Sequence, residues 1–301
     1  VANLSDAFCI ADSVNKVKKY INAFIGVVRC KVIVVSGMSK VGVYAIKLAK
    51  LLNKKTVYIM HGCYEMECAL NESAVDENSL QMEQYILHSV DLLLPVSERY
   101  SQIIQEKYPF CKGKTAYLHN GVEKINLEHG KVQREKGRII AVGGDRKLKN
   151  NIPVAKAMAK LGADRVLTVY GHLYHPNNLP QGKNIEFKGL VPQTQLYEEM
   201  QKSELYILNS VYEPFALSVY DALLCGCSVL ITNVAGALEL LNVTEHDVIF
   251  DPMDENEIAN KIDYLLENLN NTRLMSSLDF NKISYKAEVE KLENYCNQLC
   301  N

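Results

Sequence analysis

Residues 211–236 read VYEPFALSVYDALLCGCSVLITNVAG, and their spacing is suited to chemistry on phosphates and sugars. Glu213 follows an apolar run, Pro214, Phe215 and Ala216 form a turn, and Asp221 stands eight positions after Glu213 within a helical run that Gly226 closes. This order gathers carboxylates and open backbone N–H groups at the C-terminal end of a strand and the N-terminal end of a helix, where anions bind readily. A second cluster, GGDRKLKNN (143–151), combines glycines that permit close backbone approach with Arg146, Lys147 and Lys149. Such a cluster either holds phosphate or is a solvated basic turn. A third element, VYIMHG (57–62), leaves His61 at a strand end, where a histidine either faces a ligand or caps local backbone. SGMSKVG (36–42) lacks the Gly-Lys-Ser/Thr ending of a nucleotide triphosphate loop, so an ATPase is excluded.

The elements that must position these residues alternate strand and helix. Strands are expected at 31–37, 55–62, 90–97 and 115–122, with helices over 41–53, about 76–89 and 98–107. A polar stretch at 123–137 reads as a linker. A second alternation starts at 137–144 and continues through a helix near 151–161, strands at 166–171 and 185–191, and a helix at 193–202. A strand at 204–210, a helix at 217–225, a strand at 228–233 and a short strand at 247–252 follow. Runs this apolar imply parallel strands covered on both faces. The expected fold is α/β, with two doubly wound Rossmann-like domains and a cleft at the C-terminal ends of their strands. The divisions are an N-terminal domain at 1–134, a C-terminal domain at 135–280 and a terminal segment at 281–301. In the last, Val289, Leu292, Tyr295, Cys296 and Leu299 lie at helical spacing. Because the chain opens at Val1 and its first clear strand is 31–37, the N-terminal domain is expected to be short or truncated.

With 301 residues, 48% of them hydrophobic, the chain can form two cores, and its net charge of −2 argues against a nucleic-acid partner. No run approaches the ~20 apolar residues of a membrane span. The nine cysteines show no zinc-ligand spacing and sit mostly in apolar runs, which reads as buried reduced thiols in a cytoplasmic protein. Charge is unevenly spread: residues 1–60 carry +8 and the remainder −10. These early lysines are either ordinary solvated helix faces or a patch for an anionic membrane surface. No Asp-x-Asp pair is present to hold a divalent ion on a diphosphate, so no metal and no cofactor is expected.

Four segments in order, VYIMHG, VDLLLPVSERY…AYLHNGVE, IIAVGGDRKLKNN and FKGLV…VLITN, resemble the retaining glycosyltransferases of family 4, which have the two-domain GT-B fold. The resemblance runs over about residues 31–254 and is strongest in the second domain. It implies metal-independent, retaining transfer of a sugar from a nucleoside-diphosphate sugar to a saccharide or lipid-linked acceptor, in the setting of polysaccharide biosynthesis; the basic N-terminal part would place it on the inner face of the cell membrane. By the same resemblance, Glu213 and His61 face the donor sugar and Lys149 binds phosphate with Arg146 or Lys147 as companion. Gly143 and Gly144 allow the donor's approach, and the Phe215–Ala216–Leu217 turn presents N–H groups to the diphosphate. The backbone of Gly189 and Leu190 docks the base, and Asp221 meets the ribose. Residues 119–121 are read mainly as turn chemistry near the cleft. Two departures stand out: the family's second glutamate is Asp221 here, and the N-terminal domain is short. For Asp221 two readings stand, ribose acceptor or surface carboxylate on the first helical turn. These departures motivate an alternative, a non-catalytic glycosyltransferase-like subunit supporting an active partner.

Overall fold

The computed structural model describes residues 15–125 and 132–301, and in it the alternation becomes two parallel sheets. The first is built from β1 (Val32–Ser36), β2 (Lys55–Met60) and β3 (Leu92–Pro95), paired in chain order. With them run α1 (Lys16–Arg29), α2 (Lys40–Leu51), α3 (Tyr64–Asn71), α4 (Glu77–Ser89) and α5 (Glu98–Lys107). Short polar side chains start four of these helices, all but α3, by accepting from otherwise unpaired N–H groups. Asn15 accepts from Val17 N at 3.0 Å, Ser39 Oγ from Gly42 N at 3.0 Å and Ser97 Oγ from Tyr100 N at 3.1 Å. Two of the five were not expected from sequence. The eight-residue α3 is too short for a helical period to show. Helix α1 points apolar residues two ways, with Ala23 and Val27 buried and Val17, Ile21, Phe24 and Val28 exposed.

The segment 115–122, expected as a strand, does not become one. Leu93 N donates to Lys114 O at 2.7 Å, Ala116 N to Leu93 O at 3.0 Å and Leu118 N to Pro95 O at 3.0 Å. The next donor in that parallel ladder would be the nitrogen of residue 95, which as proline has no hydrogen to give. The segment therefore lies along β3 with an interrupted ladder.

The second sheet has six parallel strands, β4 (Arg138–Val142), β5 (Val166–Tyr170), β6 (Ile185–Lys188), β7 (Leu205–Leu208), β8 (Ser228–Thr232) and β9 (Val248–Ile249), in the order β6-β5-β4-β7-β8-β9. Every residue of β7 and β8 is buried, which parallel strands with both faces covered require. The accompanying helices are α6 (Asn151–Ala157), α7 (Gln193–Lys202), α8 (Leu217–Leu224), α9 (Glu255–Glu267) and α10 (Asn271–Ser276). Between the strands and α6 and α9 lies one apolar core that includes Ile139, Val154, Leu167, Val169, Ile207, Leu230, Ile258 and Ile262.

The chain forms two compact units, one ending at Gly121 and taking in Phe280–Asn301, the other Val122–Asp279. The first division falls earlier than residue 134, because Arg134 and Glu135 already belong to the second unit: Arg134 donates to Gly226 O and Cys225 O, and Glu135 N donates to Lys202 O at 2.8 Å. Part of the expected linker, residues 126–131, lies outside the described residues, as do residues 1–14. The eight described cysteines are all free, five of them buried.

After the short α11 (Phe280–Ile283), helix α12 (Tyr285–Cys300) packs on the first sheet. Leu292 joins Val57, Leu94 and Leu118 in one cluster, flanked by Tyr295, Cys296 and Leu299. Replacing Leu292 by alanine removes the helix's buried contribution to that cluster and should lower stability by about 2–4 kcal/mol. Chemical denaturation followed by circular dichroism measures it, and an unchanged midpoint would show that this cluster does not hold the helix.

Candidate functional site

The second unit's chain enters its sheet at β4, runs outward to β5 and β6, and then returns to lay β7 on the other side of β4. All these strands are parallel, so the loops after β4 and β7 leave the same edge in opposite directions and open a crevice between them. Both sequence clusters lie there, residues 143–150 after β4 and residues 209–217 after β7.

The loop after β4 depends on its glycines. Gly143 and Gly144 have φ of +112° and +61°, and their N–H groups donate to Tyr170 O at 2.7 and 2.9 Å. A Cβ on Gly144 would lie 2.0 Å from His172 O, and one on Gly143 would lie 2.4 Å from Cγ of Lys149. Only glycine lets the backbone pass this close beneath the lysine stem. Asp145 then accepts from Tyr174 N and His175 N at 2.7 and 2.6 Å, tying this loop to the one after β5. A short 3₁₀ turn, Lys147–Lys149, ends at Asn150 with φ of +51°. Asn151 is buried and donates to Gly144 O at 2.9 Å, closing the loop on itself.

This geometry sends Lys149 across the crevice. Its Nζ lies 2.5 Å from Oε2 of Glu213, which also accepts from Ser210 Oγ at 3.2 Å. The two side chains are 25% and 11% exposed, so the pair is sheltered but reachable. A charge-assisted bond in such a place is strong, and removing one partner alone leaves a poorly hydrated charge behind. Arg146, half-buried, pairs with no carboxylate among the described residues, whereas Lys147 is exposed.

After Glu213 the chain turns into α8. The Phe215 side chain is 2% exposed and stacks on Tyr220 with 5.6 Å between centroids, so this residue offers its backbone, not its ring, to a ligand. Ala216 holds φ of +79° and ψ of 68°, a left-handed conformation that costs a non-glycine residue about 1–3 kcal/mol. No side chain caps α8, so the N–H groups that open its first turn, beginning with that of exposed Leu217, lie at the positive end of the helix dipole without a side-chain acceptor, while Val219 N donates to Ala216 O at 3.2 Å. Asp221 is on the second turn and half-buried, which corrects the reading of it as a first-turn surface carboxylate. Burial pushes its carboxyl up to about 6, and no described side chain hydrogen-bonds it. Gly189 and Leu190 follow β6 at the sheet edge, two strands from β4. Both are exposed, and a Cβ on Gly189 would touch nothing.

His61 belongs to the first unit, after β2. Ser36 Oγ lies 2.8 Å from its Nε2, and the Asn120 side chain also hydrogen-bonds the ring. The ring is open to solvent on one side, yet partial loss of hydration lowers its pKa, with the Asn120 bond opposing that shift. Sequence reasoning passed over Ser36 and Ser210 as site residues and read Asn120 mainly as turn chemistry. A lone serine or asparagine beside a turn has too many ordinary roles to signal one. Among the described residues, no group of three or more His, Cys, Asp and Glu side chains is placed to hold a metal ion.

Comparison with known proteins bears on this arrangement. The family described as glycosyl transferases group 1 matches residues 124–277. The N-acetylgalactosamine-N,N'-diacetylbacillosaminyl-diphospho-undecaprenol 4-alpha-N-acetylgalactosaminyltransferase of Campylobacter jejuni is 24% identical over 238 residues, covering 74% of this chain and 64% of that protein. Mannosylfructose-phosphate synthase of Agrobacterium fabrum is 23% identical over 170 residues, covering 55% of this chain and 35% of that protein. The chain thus spans less than two thirds of either relative. Among solved structures, Anabaena HepE in complex with UDP and glucose superposes with a TM-score of 0.70 at 15% identity, covering 92% of this chain and 82% of that one. Sucrose-phosphate synthase from Thermosynechococcus elongatus gives 0.68 at 18% identity, covering 95% and 80%. These two likenesses show the fold.

The raised carboxyl of Asp221 has a signed consequence. Ionising it costs the folded state nothing below the ordinary value of 3.8 and the full amount above about 6. Asp221→Asn should therefore stabilise the protein at pH 8 by ~1–2 kcal/mol, allowing for solvent at a half-buried site, and have no effect near pH 3.5. Thermal melts of both proteins at the two pH values test this, and equal melting temperatures at pH 8 would show that Asp221 is well hydrated.

Proposed function

From the premise that the chain belongs to the group 1 glycosyl transferases, we propose that it moves a sugar from a nucleoside-diphosphate donor to a saccharide or lipid-linked acceptor, with retention and without a metal. One observation carries this reading: the Lys149–Glu213 pair stands at the switch point between β4 and β7, beside the uncapped start of α8. A diphosphate entering there meets Lys149, Arg146 and the first-turn N–H groups of α8, with Lys147 at the rim. These cations and dipoles supply the charge stabilisation that a departing nucleoside diphosphate needs. Phosphate competes with Glu213 for Lys149, and the displaced carboxylate is left beside the donor sugar. Asp221 takes the ribose hydroxyls, the Gly189–Leu190 backbone takes the base, and His61 of the first unit faces the sugar.

Retention needs the acceptor oxygen to bond the anomeric carbon on the face that the leaving group departs. The bond from that carbon to the β-phosphate oxygen breaks as the new one forms, and the freed phosphate oxygen takes the acceptor's proton. Support for the acceptor class comes from a relative named for action on a diphospho-undecaprenol sugar. Asp221 is also the observation that favours the second reading, a non-catalytic subunit, since it carries a shorter side chain than the family's glutamate.

Association with the inner face of a cell membrane extends the proposal. No helix among the described residues is long and apolar enough to cross a membrane. Helix α1, however, exposes Val17 (67%), Ile21 (52%), Phe24 (49%) and Val28 (47%) on one face, with Lys18, Arg29 and Lys31 exposed nearby. Apolar residues flanked by cations suit an anionic bilayer surface.

Calorimetric titration with UDP, GDP and ADP in EDTA tests the donor site. One nucleotide should bind at micromolar Kd, and Lys149→Ala should weaken it by about tenfold or more. Failure of all three to bind would favour the non-catalytic subunit, and binding only after metal is restored would end the metal-free reading. In liposome sedimentation the protein should pellet with anionic but not neutral vesicles, and Phe24→Glu should abolish pelleting. A supernatant protein in every case would sink the membrane surface.

A further inference from the structure

Helix α12 does more than cover the first sheet. Its first turn carries Glu288, only 7% exposed, against the segment that follows Leu118. His119 N donates to Glu288 Oε2 at 3.1 Å, and His119 Nδ1 lies 3.5 Å from Oε1. Two residues further, Gly121 meets the same helix end so closely that a Cβ would stand 2.3 Å from Tyr285 Cα. The corner 119–121 is thereby held on both sides of Asn120 by α12. The Asn120 side chain hydrogen-bonds the ring of His61.

A neutral imidazole carries its proton on one nitrogen or the other, and its hydrogen-bond partners decide which. His61 has two such partners. Ser36, at the exposed end of an edge strand, rotates its hydroxyl freely and so accepts either arrangement. Asn120 can keep one amide atom toward the ring only for as long as its backbone is held. Backbone contact with α12 by itself would keep the corner near the helix, and a buried carboxylate is a costly way to achieve that alone. What the carboxylate adds is a directional acceptor for His119 N, which sets the orientation of the peptide joining His119 to its predecessor.

We infer that Glu288 is a positioning residue which, through His119 and Asn120, sets the orientation and tautomer of His61. The chain's last helix thereby acts on a residue 227 positions earlier in the sequence. The consequence for transfer rests on the proposed reading of His61 as facing the donor sugar, but the coupling itself does not.

The test is ring-nitrogen NMR on protein labelled with ¹⁵N-histidine, the His61 signals being identified by their loss in His61→Ala. Wild type should show one dominant tautomer at neutral pH. Asn120→Ala, which removes the direct bond, supplies the reference for a released ring, and Glu288→Ala should move the His61 shifts toward it. If Glu288→Ala does not fold, Glu288→Asp draws the carboxylate back by one methylene and should give a smaller shift in the same direction. Unchanged His61 signals in every folded Glu288 variant would overturn the proposal. Transfer assays read the second layer. In Glu288→Ala, kcat should fall about ten- to a hundredfold, as expected when a reacting group is misplaced by a distant change, with donor KM within about twofold of wild type. Full activity in His61→Ala would instead remove the reading of His61 at the sugar while leaving the ring coupling to stand on the NMR result.

Discussion

The ion pair between Lys149 and Glu213 is the interaction on which the rest of the second unit depends. Its partners are 64 positions apart and meet only because β4 and β7 are neighbours pointing the same way. That adjacency comes from the order in which the strands are laid down, outward from β4 and then back. The glycines at 143 and 144 and the buried Asn151 exist to shape one loop tightly enough to carry the lysine across. The fully buried strands β7 and β8 give the other side a rigid base from which Glu213 projects.

Around this pair the unit tolerates features that a stability optimum would remove. Ala216 is left-handed where glycine would be easier, Asp221 is partly stripped of water, and the first N–H groups of α8 have no cap. Each costs something in the free protein, and each suits an anionic, hydroxyl-bearing ligand. Their concentration at one strand edge, in a unit whose core is otherwise continuous and apolar, is the physical sign of a binding site. On the proposed reading the occupant is the nucleoside-diphosphate donor, held by positive charge and by oriented N–H groups.

The first unit solves a different problem. Its sheet has three strands, and α12 returns from the end of the chain to cover it with Leu292 and its neighbours. The same helix brings a buried carboxylate to His119 and so reaches the surroundings of His61. Packing on the sheet and the contact to His119 are served there by one face of one helix, since Glu288 and Leu292 stand four residues apart.

Most of the architecture was legible in the sequence because it rests on local rules. Apolar runs closed by glycine or serine marked the strands, the 3.6-residue period marked the longer helices apart from α1, and the glycines at 143 and 144 marked a close backbone approach. The positions of Glu213, Lys149 and His61 at strand ends followed from the same reading. What local rules could not supply were relations between distant parts of the chain. Pro95 interrupts a ladder whose partner is twenty residues away, Arg134 and Glu135 join the second unit through bonds to residues far ahead of them, and Glu288 finds His119 across 169 positions. The sequence by itself therefore determined the elements and which residues stand at their ends, since backbone hydrogen bonding and side-chain periodicity act over a few residues. Only the tertiary structure decided that Lys149 faces Glu213, that Asp221 is half-buried and that the last helix meets His119. Each of these depends on strand order and burial, which no short stretch of sequence encodes.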